Sequence, residues 1–127
     1  MATIKSYTDI EQSRKLAETL PIESADMGYL WNGTSFCEYP VSNQTIFKRV
    51  ENIPCWSLAA LLEQFPYELC DDDGNSLYLE INKEDDVYQL VYADRYGDFE
   101  SIETDRCEHF VDACYEMIAH LHKLNLL

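Results

Sequence analysis

The sequence predicts a small α+β domain in which an antiparallel sheet, one layer thick, is packed by helices in the order α-ββ-α-βββ-α. Three observations carry this expectation. Leu77, Leu79 and Ile81 alternate with Tyr78, Glu80 and Asn82, the period of a half-buried antiparallel strand. Phe110, Ala113, Cys114, Met117, Ile118, Leu121 and Leu124 fall at helical spacing and form one long apolar stripe. Asn32-Gly33 separates two short aromatic runs, a strong local signal for a hairpin. The 127 residues fit one domain, residues 1–127. A chain of that size buries about two-thirds of its unfolded surface.

Taken in order, the first helix is expected from about residue 9 to 20, with Thr8 and Glu11 as a capping box and Pro21 as its stop. Its apolar stripe (Ile10, Leu16, Ala17, Leu20) is thin. Met27 to Trp31 and Thr34 to Tyr39 are expected to pair around a type I′ turn at Asn32-Gly33. Residues 40–52 read as a loop, with a short strand at Thr45–Val50.

The second helix is expected to start at Pro54, a residue suited to a first helical position, and to end at Pro66. Leu58, Leu61, Leu62 and Phe65 give it an apolar face, widened by Trp56 and Ala59, so it should be the most buried helix. Three strands follow: Tyr67–Cys70 running on through Ser76–Asn82, then Val87–Asp94, then Asp98–Thr104. The last helix should run from Arg106 to Leu124 behind an Asp105 cap, with Glu108 three positions on.

Charge narrows the function classes. The chain holds 24 acidic and 9 basic residues, a formal net charge of −15. Residues 61–127 carry 17 of the acids and 4 of the bases, so the acidity belongs to the second half. Direct nucleic-acid binding draws its affinity from Lys and Arg displacing counterions, and the basic residues here form no stripe. Adhesion to an anionic membrane is disfavoured for the same reason. A field of this sign steers basic partners in. The opening residues contain no apolar core of signal-peptide length, so a cytoplasmic location is expected. The five cysteines (Cys37, Cys55, Cys70, Cys107, Cys114) are odd in number and lack paired spacing, as expected of free thiols.

Motifs of catalysis and metal binding are weak. Asp71, Asp73 and Asn75 resemble the opening of a calcium loop, but Ser76 and Asn82 stand where such a loop needs its glycine and its bidentate glutamate. Cys107 with His109, and His120 with His122, lie two apart, a spacing that diverges on a helix. No nucleophile elbow or glycine-rich phosphate loop occurs. The expectation is therefore no metal, no cofactor and no catalytic residue.

What stands out is aromatic: nine Tyr, two Trp and five Phe. Tyr78, Tyr88 and Tyr92 interleave with Glu80 and Asp94 in the acidic half, and the expectation is that these five build one outer sheet surface. Tyrosine gives large contact area at small entropic cost. A second expected site is a ligand pocket of Trp31, Phe36, Tyr39, Phe47, Lys48 and Arg49, where stacking rings meet local cations.

Three stretches, Asp9 to Met27, Ile53 to Leu62 and Val111 to Leu127, carry a resemblance. The block Pro54-Cys55-Trp56-Ser57-Leu58-Ala59-Ala60-Leu61-Leu62 is the most distinctive, followed by Asp112-Ala113-Cys114 with Met117-Ile118 and Leu121-His122. Together they resemble a group of short uncharacterised proteins of gut Bacteroidales, encoded largely in prophages and mobile elements. The resemblance implies phage or mobile-element ancestry and carries over no catalytic residue.

The expectation drawn from these readings is a non-catalytic binding protein that docks an acidic, tyrosine-bearing surface on a basic protein surface, such as that of a host defence component. An open sheet edge and a thin first helix leave room for a homodimer. The alternatives are a sponge that sequesters a nucleotide immune signal through the second site, and a small enzyme of unknown class.

Overall fold

The computed structural model describes residues 4–42, 51–70, 73–95 and 101–127. It is an α+β protein with antiparallel pairing, as the sequence predicts, but its described strands form two sheets, of two and four strands, where one sheet was expected. Contacts divide it into two compact units, one ending at Gln64 and the other running from Phe65 to Leu127.

The first unit opens with helix α1 (Ile10–Ala17). Its capping box is Asp9 with Gln12, one residue on from the expected Thr8 and Glu11. Asp9 Oδ1 accepts from the Gln12 amide at 2.8 Å, and Gln12 Oε1 accepts from the Asp9 amide at 3.1 Å. Thr8 is left for another task. It is fully buried and bonded to Ser13, Cys55 and Trp56. A short 3-10 helix (Ile22–Ser24) leads to strand β1 (Met27–Tyr29).

Strand β1 pairs antiparallel with β2 (Ile53–Cys55), and Val41 bridges its other side through Gly28. This corrects the expected helix start at Pro54. Gly28 spends its backbone groups on Val41, so Pro54, directly opposite, is at a position whose nitrogen points away from the β1 ladder. The ladder asks for no N–H there, which is where a strand tolerates proline. The helix begins instead as α2 (Leu58–Leu62), five residues capped by Ser57, which accepts from the Ala60 amide at 3.2 Å. The Ser57 amide and hydroxyl in turn both donate to the Asp26 carboxylate. Leu61 is fully buried but Ala59 is exposed, so α2 is not the most buried helix.

The expected hairpin of Met27 to Tyr39 contracts to a single bridge between Trp31 and Phe36. Gly33 takes a positive φ of +102° but Asn32 does not, so the turn is not type I′. The Asn32 side chain accepts from the amides of Thr34 and Ser35, an Asx arrangement that holds the loop in another shape. The expected strand Thr45–Val50 lies outside the described residues.

The second unit is a four-stranded antiparallel sheet in spatial order β3-β4-β5-β6 backed by one helix. Strands β3 (Glu68–Cys70) and β4 (Ser76–Glu84) are separate and pair with each other, where the sequence reading joined them. Gly74 sits between them at φ +82°, reversing the chain. Asp85, at φ +53°, occupies the two-residue turn into β5 (Val87–Ala93). Strand β6 (Ile102–Glu103) closes the order.

Helix α3 (Phe110–Lys123) starts later than expected, with His109 before it and no side-chain cap. Residues ahead of it serve the sheet. Cys107 and Tyr88 exchange both backbone hydrogen bonds, at 2.7 and 2.8 Å, and the Asp105 amide donates to Glu116 at 2.8 Å. Of the expected stripe, Ala113, Cys114, Met117, Ile118 and Leu121 are fully buried and Phe110 is half-buried, while Val111, outside the expected set, is fully buried too. Leu124, at 53% exposure, falls outside it.

Candidate docking face

Residues directly opposite in neighbouring strands project to the same side of a sheet. Leu79 lies opposite Tyr92, Ile81 opposite Leu90 and Lys83 opposite Tyr88. This is the helix side. Leu90 and Tyr92 are fully buried, and Tyr88 stacks on Phe110 of α3 with ring centroids 5.0 Å apart. Burial pushes the Tyr92 hydroxyl up to about 12, so it is a neutral donor at neutral pH.

The other face carries Tyr78 and four exposed glutamates. Glu68 of β3 lies opposite Tyr78, and Glu80 of β4 and Glu103 of β6 flank Val91 on one rung. Glu84 ends β4 on the same side. Tyr67, 70% exposed, packs its ring 5.6 Å from that of Tyr78. The Arg95 guanidinium lies 4.5 Å from the Tyr78 ring centre, a cation–π contact. The patch thus sets two aromatic rings and Arg95 beside the carboxylates of Glu68 and Glu80, with Glu84 at the far end of β4 near Arg106.

The expected single surface of Tyr78, Glu80, Tyr88, Tyr92 and Asp94 is therefore divided. The register pairs even-numbered positions of β4 with odd-numbered positions of β5. Tyrosines at even positions in both strands must then lie on opposite faces. Tyr78 and Glu80 come together on the outer face; Tyr88 and Tyr92 turn towards the helix, and Asp94, half-buried past the end of β5, continues their alternation. Tyr67, Glu68, Glu84, Arg95 and Glu103 belong to the outer patch and were missed. Asp-Gly at 73–74, treated as a hairpin signal, would have placed Glu68 beside Tyr78.

Of the second expected site, Trp31 and Phe36 make an edge-on contact at 4.9 Å and Tyr39 is 66% exposed. The cation facing Phe36 is Arg14 of α1, 5.5 Å from the ring centre. Phe47, Lys48 and Arg49 lie outside the described residues.

Three of the five thiols are poorly disposed to react. Burial raises the Cys55 thiol and pushes Cys114 up to about 12. Cys107 rises to about 11 through burial and then through the Glu116 carboxylate, which its thiol meets at 3.5 Å. His120 contacts the same carboxylate at 3.5 Å. Among the described residues no group of three or more His, Cys, Asp or Glu is placed to hold a metal ion. Among them, too, no helix is long and apolar enough to cross a membrane. No protein-family model, curated protein or solved structure matches the chain.

Proposed function

We propose that this protein is a non-catalytic, cytoplasmic binding protein of phage or mobile-element origin that antagonises a host defence protein by covering a basic surface on it. The observation that carries the reading is the outer sheet face, where Glu68 and Glu80 adjoin the Tyr67–Tyr78 pair and Glu103 lies across Val91 from Glu80. Tyrosines on a rigid sheet supply contact area with little ordering cost, and the carboxylates set which partner approaches. A surface that binds nucleic-acid phosphates is a natural complement to such a pattern. The resemblance of the helical segments to prophage-encoded proteins supports the ancestry.

The test is affinity capture from host cells on the immobilised protein, eluted by a salt gradient, with bound proteins and bound nucleotides both analysed. A basic protein released by rising salt is the expected result, because exposed charge pairs weaken as the screening length shrinks. Recovery of a nucleotide in place of a protein would transfer the function to the Trp31–Phe36 region. A partner whose retention ignores salt would remove the acidic face from the mechanism.

A further inference from the structure

Strand β4 is longer than the strand beside it. Strand β3 covers Ser76 to Tyr78, and the last contact on that side is the Leu79 amide donating to the Tyr67 carbonyl at 3.2 Å. Antiparallel pairing alternates, so odd-numbered β4 residues aim their backbone groups toward β3 and even-numbered ones toward β5. The β5 side agrees: Leu90 and Tyr88 spend their backbone groups on Thr104 and Cys107, leaving their odd-numbered neighbours for β4. The N–H and C=O of Ile81 and Lys83 therefore point beyond the end of β3, and no partner among the described residues takes them. The whole stretch Glu80 to Glu84 is exposed.

An unpaired edge of this kind is a template for another strand. Its side chains say which strand. On the outer face an added segment would lie against Glu80, Asn82 and Glu84; on the helix side it would lie against Ile81, which is 46% exposed, and the stem of Lys83. A second copy pairing edge to edge would bring Glu80 and Glu84 against their own kind, in a chain of net charge −15. We propose that the Ile81–Lys83 edge of β4 binds an extended segment of a partner protein by β-addition, selecting Lys or Arg at alternate positions and apolar residues between them. The edge adjoins the acidic face, and the charge preference rests on the reading of that face as a docking surface.

The test uses the full chain and a blocked peptide of alternating lysine and valine as probe, with a glutamate–valine peptide as control. The expected result is binding of the lysine peptide alone, with slowed hydrogen exchange at the Ile81 and Lys83 amides. Ile81→Pro removes an edge N–H without touching the β5 ladder, a place where a strand accepts proline. It should weaken the peptide at least about tenfold, the loss of one backbone hydrogen bond plus the steric block. Circular dichroism and the thermal midpoint of that variant confirm its fold. Lys83→Pro, on the next edge position, repeats the test if Ile81→Pro fails to fold.

Lysine-peptide binding that survives both prolines, with no amide protection, overturns the edge and leaves the acidic face standing. No binding of the lysine peptide overturns the edge, while the face is judged separately by the salt elution of its captured partner. A dimer that sedimentation detects in the wild type and that Ile81→Pro dissolves assigns the edge to self-pairing and overturns the peptide.

Discussion

The hydroxyl of Tyr92 donates a 2.6 Å hydrogen bond to the backbone carbonyl of Pro66, tying the end of β5 to the segment that enters β3. Both ends of this contact matter. The ring is fully buried against the helix side of the sheet, and the carbonyl belongs to a residue with no N–H of its own to give the ladder. Tyr92→Phe keeps the packing and removes the donor. The expected cost is about 1–3 kcal/mol, because the carbonyl loses its partner at a part-buried site. Urea denaturation followed by far-UV circular dichroism measures it, and an unchanged midpoint would show that water replaces the hydroxyl without loss.

The same residue contributes to the alkaline limit of the fold. Burial raises Tyr92 from 10.0 to about 12, and Tyr29 rises further for the same first reason. A raised phenol holds its proton longer folded than unfolded. Its stabilising contribution is complete below pH 10 and is lost as pH climbs through the folded value. The thermal midpoint should therefore fall from about pH 9, where the raised thiols begin to ionise in the unfolded chain, and more steeply above pH 10, and Tyr92→Phe should flatten part of the upper fall. Phenolate absorbance recorded with the melting curves gives the check.

Thr8 is the polar knot of the first unit. Its hydroxyl meets Ser13 Oγ at 2.7 Å and accepts from the Trp56 amide at 3.2 Å, while its carbonyl accepts from the Tyr29 hydroxyl at 2.7 Å. Thr8→Val preserves shape and strands both the Ser13 hydroxyl and the Trp56 amide in a dry setting. A loss of about 1–3 kcal/mol is expected. Pairing it with Ser13→Ala should recover part of the loss, since one orphan then disappears.

How far these features could be read in advance follows from the range of the forces behind them. The α3 stripe and the β4 alternation were legible because a single face decides both, and the period alone reports it. Pro54 misled because helix start and strand edge both forgive a missing N–H, and only the pairing of Gly28 with Val41 decides between them. Thr8 misled for a similar reason: a capping pattern one residue away used Asp9, and two of the partners of Thr8, Cys55 and Trp56, lie more than forty residues on. The outer face was half legible. Side-chain alternation within β4 joins Tyr78 to Glu80, but the register between β4 and β5 is set by the two-residue turn at Asp85 and Asp86, and that register sends Tyr88 and Tyr92 inward.

Thiol labelling separates the five cysteines by burial. Cys70 is exposed and Cys37 intermediate, whereas Cys55 and Cys114 are fully buried. At neutral pH an alkylating reagent should modify Cys70 first and Cys37 more slowly. Cys107 should lag, its thiol pushed up to about 11 beside Glu116, and Glu116→Gln should speed it by removing the nearby negative charge. Cys55 and Cys114 should react only in denaturant. Mass spectrometry of peptides along a time course orders the sites, and early labelling of Cys114 would mean that α3 opens from the sheet.

Glu80 and Glu103 flank Val91 across the outer face, two strand spacings and so about 10 Å apart, close to one screening length at physiological salt. Each is exposed, and their mutual repulsion is weak but unfavourable. Neutralising both to glutamine should leave the thermal midpoint unchanged or raise it slightly, within about 0.5 kcal/mol of the wild type. Binding should respond in the opposite sense. If these carboxylates guide a basic partner, the double variant binds more weakly at low salt and its affinity falls less steeply as salt is added. Melting curves and a salt series of binding isotherms with the captured partner read the two effects separately. A fold that gains while an interaction loses is the mark of charge kept for contact and not for stability; parallel isotherms for variant and wild type would mean that the row is solvated surface.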